Sequence, residues 1–194
     1  MLLGIIKQLN WVDVLVIIIA LRICYIAARI GFPTELFKLF GTIAAIYFSL
    51  HYYTALSDIL SEFLPGVQDR APLEFMDFAC FLILVIVSYL AFALLRNIFC
   101  RFIKMEAIPK LNKWGGFILG LARTYLFLGL LIFMLAISTI TYLRESAGQS
   151  YLGTRLFKVA PNTYYWLWNN LGSKFMIKEK INKTVAEVEE GFKQ

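Results

Sequence analysis

Four long apolar stretches run through the chain, separated by short segments that concentrate its charge, proline and glycine. The clearest is the uncharged run over residues 124–143, which matches the roughly 20 apolar residues needed to cross a bilayer core. A second uncharged run covers 39–57, bracketed by Lys38 and Asp58, and a third lies between Asp77 and Arg96. The first begins after Asn10 and is interrupted by Asp13 and Arg22. Helical spans are therefore predicted over about residues 11–30, 37–57, 75–99 and 114–143. Asn10 is placed to cap the first helix, and Asp13 falls in its first turn, where the helix dipole favours a carboxylate. Trp11 suits an interfacial anchor. Pro33 ends helix one, Thr34 is a candidate cap for helix two, and Glu35 sits in that helix's first turn.

Small residues recur on two faces. Gly41, Ala45 and Ser49 follow one another every four residues, and Gly116 and Gly120 have the same spacing, which lets membrane helices approach closely. Arg123 lies near the Gly116/Gly120 face. The remainder, 145–194, forms a second unit beside the 1–144 membrane domain. Residues 145–173 carry Tyr151, Tyr164, Tyr165, Trp166 and Trp168 in no run long enough to span, as at a membrane interface or protein groove. Residues 174–192 read as an amphipathic helix whose stripe is Ile177, Ile181, Val185, Val188 and Phe192, with Glu179 and Lys183 as an i,i+4 pair. That stripe serves equally for packing on its own protein or for engaging a partner. The predicted fold class is all-α: an integral membrane bundle of four transmembrane helices with a C-terminal interfacial, amphipathic helical tail.

Composition agrees. Of 194 residues, 60% are hydrophobic and 16% charged, whereas a soluble domain is nearer a quarter charged. The net charge of +6 accords with basic cytoplasmic segments and brings no nucleic-acid signature. The N-terminal apolar run lacks a clean Ala-x-Ala cleavage site and is expected to stay as the first span. The segment 58–77 is acidic and 96–113 is basic, so the positive-inside bias places 96–113 and 29–38 in the cytoplasm, and 58–77 and both termini outside. Cys24, Cys80 and Cys100 fall in apolar runs with neither a disulfide framework nor metal-ligand spacing, and read as small core or lipid-facing residues.

No catalytic constellation is visible. His51 is the single histidine and reads as a hydrogen-bonded residue near a helix end. There is no G-x-S-x-G or Walker loop, and the glycines from Gly115 to Gly120 lack the following Lys-Ser/Thr. No enzyme activity, metal or cofactor is predicted. The candidate site is an intramembrane polar and packing constellation: Asp13, Arg22, Arg29, Glu35, Gly116, Gly120 and Arg123. Charges at membrane depth usually face the protein interior and find a partner. Asp13 and Glu35 also suit simple capping, and Arg29 a reach to headgroups. Arg29 and Glu35 flank one turn that they are placed to close. Arg22 and Arg123, the deepest cations, fit either account.

Several of these residues together resemble the CvpA family, the colicin V production proteins of bacterial inner membranes. They are Trp11-Val-Asp13 opening the first span, Gly31-Phe32 with Glu35 at the first turn, His51-Tyr52-Tyr53 ending the second span, and the fourth-span run from Leu111 through Gly116, Gly120 and Arg123. The similarity covers roughly residues 10–145, and more loosely to about 171. The chain departs from the family at Arg22, Ala27 and Ala28 in the first span, and at Thr124, where the family has glycine. The resemblance implies a multi-pass bacterial inner-membrane protein needed for production or export of a peptide toxin and for envelope homeostasis. It implies no catalytic mechanism. Two roles stand side by side. One is a non-enzymatic member acting through helix packing and a periplasmic tail that engages a partner protein or the bilayer. The other is a small channel or transporter subunit, forming a homo-oligomer through Gly116/Gly120, with Arg22 and Arg123 lining the path. The polar residues of the fourth run, Thr124, Tyr125, Ser138, Thr139, Thr141 and Tyr142, crowd at its two ends, which weighs against a wide aqueous pore within one chain.

Overall fold

The computed structural model describes residues 10–63, 72–102, 109–176 and 179–192. Four helices are long and apolar enough to cross a membrane: α1, Trp11–Ile30; α2, Phe32–Phe63; α3, Leu73–Phe102; and α4, Pro109–Ala136. The protein is thus a multi-pass, all-α membrane protein. The head with Lys7, parts of the acidic and basic connections (64–71 and 103–108) and Ile177 lie outside the described residues, as does the side chain of Cys100.

Local chemistry sets the ends. Asn10 accepts from the Trp11 N–H through its side chain, and its own N–H donates to Asp13 at 2.8 Å, which satisfies orphan donors of the first turn. Gly31 stops α1 at φ +95°, a left-handed conformation that costs glycine little. Helix α2 starts at once, at Phe32, so Thr34 lies inside the first turn and is not its cap. The first N–H of the helix is met from another helix: Asn112 Oδ1 of α4 accepts the Phe32 N–H at 2.7 Å. Pro109 opens α4, where its missing N–H costs nothing.

The fourth span is shorter than its apolar run. It ends at Ala136, and the chain breaks over 137–140 before α5, Thr141–Gln149. Ser138 Oγ accepts the Ile140 N–H at 3.2 Å, a local hydroxyl bond that competes with helical continuation. Hydropathy alone does not register such a break.

Helices α2 and α4 form the centre. Helix α1 packs on α4 and α3 on α2, and the outward faces of α1 and α3 are rows of exposed apolar residues such as Ile18, Leu21, Val87 and Leu94. Gly41 meets Phe92 of α3, and Ala45 and Ser49 are buried, as the small-residue face predicts. Cys80 is buried, and Cys24 Sγ lies 3.7 Å from Thr124 Oγ1.

Residues 141–192 fold into a cap on the bundle end opposite the Gly31 turn. The cap comprises α5, α6 (Tyr151–Leu156), α7 (Val159–Leu167), a π turn over Trp168–Gly172, α8 (Ser173–Phe175) and α9 (Thr184–Gly191). Its aromatics are mostly core residues: Phe157 and Tyr164 are fully buried and Trp168 nearly so, while Trp166 stays exposed. The amphipathic helix is confined to Thr184–Gly191, and residues 179–182 are not helical. The expected Glu179–Lys183 pair is not formed, because Glu179 is drawn to His51 and Tyr52. The apolar stripe is covered by the protein itself: Val185 is fully buried, with Ile181, Val188 and Phe192 packed on the same core.

Candidate intramembrane site

The turn between α1 and α2 packs onto α4 through glycine. A Cβ on Gly116 would stand 2.9 Å from the Gly31 carbonyl carbon and 3.0 Å from the Ala27 carbonyl oxygen. One on Gly120 would collide with the Ala27 side chain. The Gly116/Gly120 face is therefore filled by α1 of the same chain. Ala27 is the side chain that closes on Gly120. Thr124 returns its hydroxyl to the Gly120 carbonyl at 2.7 Å.

This close approach lets Glu35 reach α4. Glu35 is wholly buried, 2.8 Å from Lys38 Nζ and 3.0 Å from Arg123 Nε. The contact with Arg123 is an ion pair without hydrogen-bond alignment. Arg123 is itself 9% exposed. Burying Glu35 and Arg123 is offset by the attraction among these charges, and Glu35, shared by both cations, is the centre of the triad. Glu35 thus does more than complement a dipole, and it does not close the turn with Arg29. The Arg29 guanidinium lies instead 4.4 Å from the Tyr25 ring centroid, a cation–π contact on the exposed face of α1. Beside the triad, Arg22 and Arg123 line one cavity of about 510 Å³ to which all four spans contribute.

Asp13 belongs to the other end. It is fully buried and accepts from Ser150 Oγ and the Leu152 N–H, each at 2.7 Å, and from the Tyr151 N–H at 3.3 Å. It is the anion at the start of α6 as well as in the first turn of α1. A second fastening centres on His51, buried and stacked on Trp168. Its Nδ1 lies 2.9 Å from the Tyr164 hydroxyl and its Nε2 2.8 Å from Glu179 Oε2. The Tyr52 hydroxyl donates to the same carboxylate oxygen at 2.9 Å. Asn182 donates its N–H to Tyr164 and its side-chain amide to the Leu50 carbonyl. The hydrogen bonds from His51 and then Tyr52 hold the Glu179 carboxyl below the usual glutamate range. Burial pushes the Tyr164 phenol up to about 12, and burial with the nearby Glu189 charge does the same for Tyr165.

The structure thus brings Glu35, Gly116, Gly120 and Arg123 together and sets Arg22 on the same cavity, while Asp13 and Arg29 stand apart. Sequence reasoning missed Lys38 and Asn112 at this site, and Ser150, Tyr164, Glu179 and Asn182 at the cap. Asn112 had a signal, a polar residue just ahead of the Trp-Gly-Gly run; Ser150 had one as a cap residue three before Gly153, whose N–H it accepts at 2.8 Å. Glu179 and the side-chain amide of Asn182 had none, since His51, Tyr52 and Leu50 lie more than a hundred residues away in sequence.

The family model described as Colicin V production protein matches residues 12–161, most of the chain, which belongs to that family. No curated protein and no solved structure matches it.

Proposed function

We propose that this member of the Colicin V production protein family supports the production or export of a peptide toxin, and envelope homeostasis, from the bacterial inner membrane without catalysing a reaction. The observation that carries this reading is the cap. Residues 141–192 are fastened to one bundle end by Asp13 and by the His51–Tyr164–Glu179 cluster, which makes a folded, partner-facing surface. Its apolar stripe is turned inward, so a partner protein meets the outer side of the cap, where Trp166 is exposed. Charge bias in the connections puts this cap in the periplasm. Reporter fusions after residues 65 and 108 test the orientation; a cytoplasmic signal at 65 refutes it. Secreted colicin V activity tests the role, in a producing strain lacking its own family member and complemented with this chain. Unchanged secretion with and without the chain counts against it.

A channel or transporter subunit is the second reading, favoured by the placement of Arg22 and Arg123 on one intramembrane cavity. Ion flux in liposomes holding the purified protein, compared with Arg123→Ala, distinguishes the two. Flux lost on substitution selects the channel, and absence of flux with an unchanged oligomeric state selects the cap.

A further inference from the structure

The cavity that Arg22 and Arg123 share is unlike the rest of the bundle in its charge balance. Arg22, Arg123 and Lys38 stand against the single carboxylate of Glu35, so the cluster keeps a formal excess of two positive charges. Arg22 joins no ion pair among the described residues. It lies eight residues before the end of α1, roughly 12 Å along the helix, in a hydrocarbon core roughly 30 Å thick. Arg123 is buried to nine-tenths, and its Nε, 3.0 Å from Glu35, makes no aligned hydrogen bond. An unpaired Arg22, beside an Arg123 that shares one carboxylate with Lys38, calls for a further anion.

The walls say what carries that anion. Ile19, Ile23, Val85, Leu90, Phe127 and Leu130 line the same space. Leu90 on α3 and Arg22 on α1 are exposed, so the mouth opens sideways between these two outer helices, toward the bilayer. A site with a cationic pole, an apolar trough and a lipid-facing entrance fits an amphiphile. We propose that this cavity binds an anionic phospholipid, its phosphate held between Arg22 and Arg123 and one acyl chain lying in the trough. The guanidinium fork matches phosphate oxygens better than an ammonium does. The bound headgroup supplies the charge that the triad lacks, whatever role the cap has outside.

Native mass spectrometry on the full chain provides the test. The protein is released from mild detergent containing equal amounts of phosphatidylglycerol and phosphatidylcholine with the same acyl chains. One phosphatidylglycerol is expected to be retained in preference. Arg22→Gln, at an exposed position without partners, lowers that retention at least about tenfold and leaves phosphatidylcholine unchanged; Arg22→Lys retains part of it. Ile23→Trp narrows the trough, keeps both charges and also loses the lipid. Equal retention of the two lipids overturns the proposal, as does wild-type phosphatidylglycerol binding by Arg22→Gln. The latter result makes Arg22 a side chain that merely reaches bulk headgroups. Retention unchanged in Ile23→Trp overturns the acyl-chain seat. Thermal unfolding of each variant without added lipid confirms the fold.

Discussion

Glu35 holds two cations, and that asymmetry is measurable. Replacing it with Gln keeps the side chain's shape and removes its charge. Lys38, 15% exposed at its side chain, is left free to turn outward. Arg123, only 10% exposed, is left as a buried charge with no counter-ion from the described residues. Breaking a buried pair from one side costs about 3–5 kcal/mol, and Glu35→Gln is expected in that range. Arg123→Met removes the cation instead and leaves Glu35 bound to Lys38 at 2.8 Å, so its cost is smaller, about 1–2 kcal/mol. The double variant strands no charge on Arg123. It should be more stable than the sum of the single losses by about 1–3 kcal/mol, the coupling expected of residues in contact. The assay is reversible unfolding in mixed micelles of rising dodecyl sulfate content, followed by helical circular dichroism, on all four proteins. Losses that add within about 0.5 kcal/mol, or an Arg123→Met loss larger than that of Glu35→Gln, refute the account.

Gly120→Leu forces α1 away from α4 at Ala27 and should cost about 1–3 kcal/mol by overpacking, read as a lower unfolding temperature in detergent; Gly148→Ala, where nothing lies within reach of a Cβ, is its neutral control. Asp13→Ala removes the acceptor of three cap donors and should cost about 3 kcal/mol, with proteolytic cleavage appearing between 140 and 153 before the bundle unfolds. The lowered Glu179 pKa has a definite sign. Its stabilising contribution is present above the ordinary glutamate value of 4.5 and is lost as pH falls through the depressed value. Protection against hydrogen exchange over 179–192, taken relative to the intrinsic rate at each pH, should therefore fall on acidification, and Glu179→Gln should flatten that response. On the alkaline side, the contribution of the neutral Tyr164 and Tyr165 phenols is present below the ordinary tyrosine value of 10.0 and is lost as pH rises through their raised values of about 12; absorbance of tyrosinate at pH 11 should fall short of that of the unfolded chain.

The parts of this fold that depend on composition over a helix length were legible in the sequence. Four spans, the Asn10–Asp13 start, the Gly41 face and the Gly116/Gly120 groove all follow from runs and spacings of one to twenty residues. What those rules leave open is the partner. The glycines announce that something approaches closely, but only the tight Gly31 turn, at φ +95°, brings α1 of the same chain to them. Glu35 reads as a dipole carboxylate because four residues of context show no cation except Lys38; Arg123 is 88 positions further on. The same holds at the other end, where Asp13 caps its own helix and also binds a turn 137–139 residues away. Each such carboxylate satisfies a local rule and a distant one with different oxygens or different donors. A local explanation for an ionisable residue in a membrane span is therefore not evidence that the residue has no other partner. The burial of Asp13 and Glu35, complete in both cases, shows why: a cap residue needs one or two backbone donors, and a carboxylate fully excluded from solvent needs further donors or a cation beside it. Arg22 is the complementary case. It has no local rule and no ion pair among the described residues, and its exposed position on α1 is the ground on which an anion from the bilayer is proposed for it.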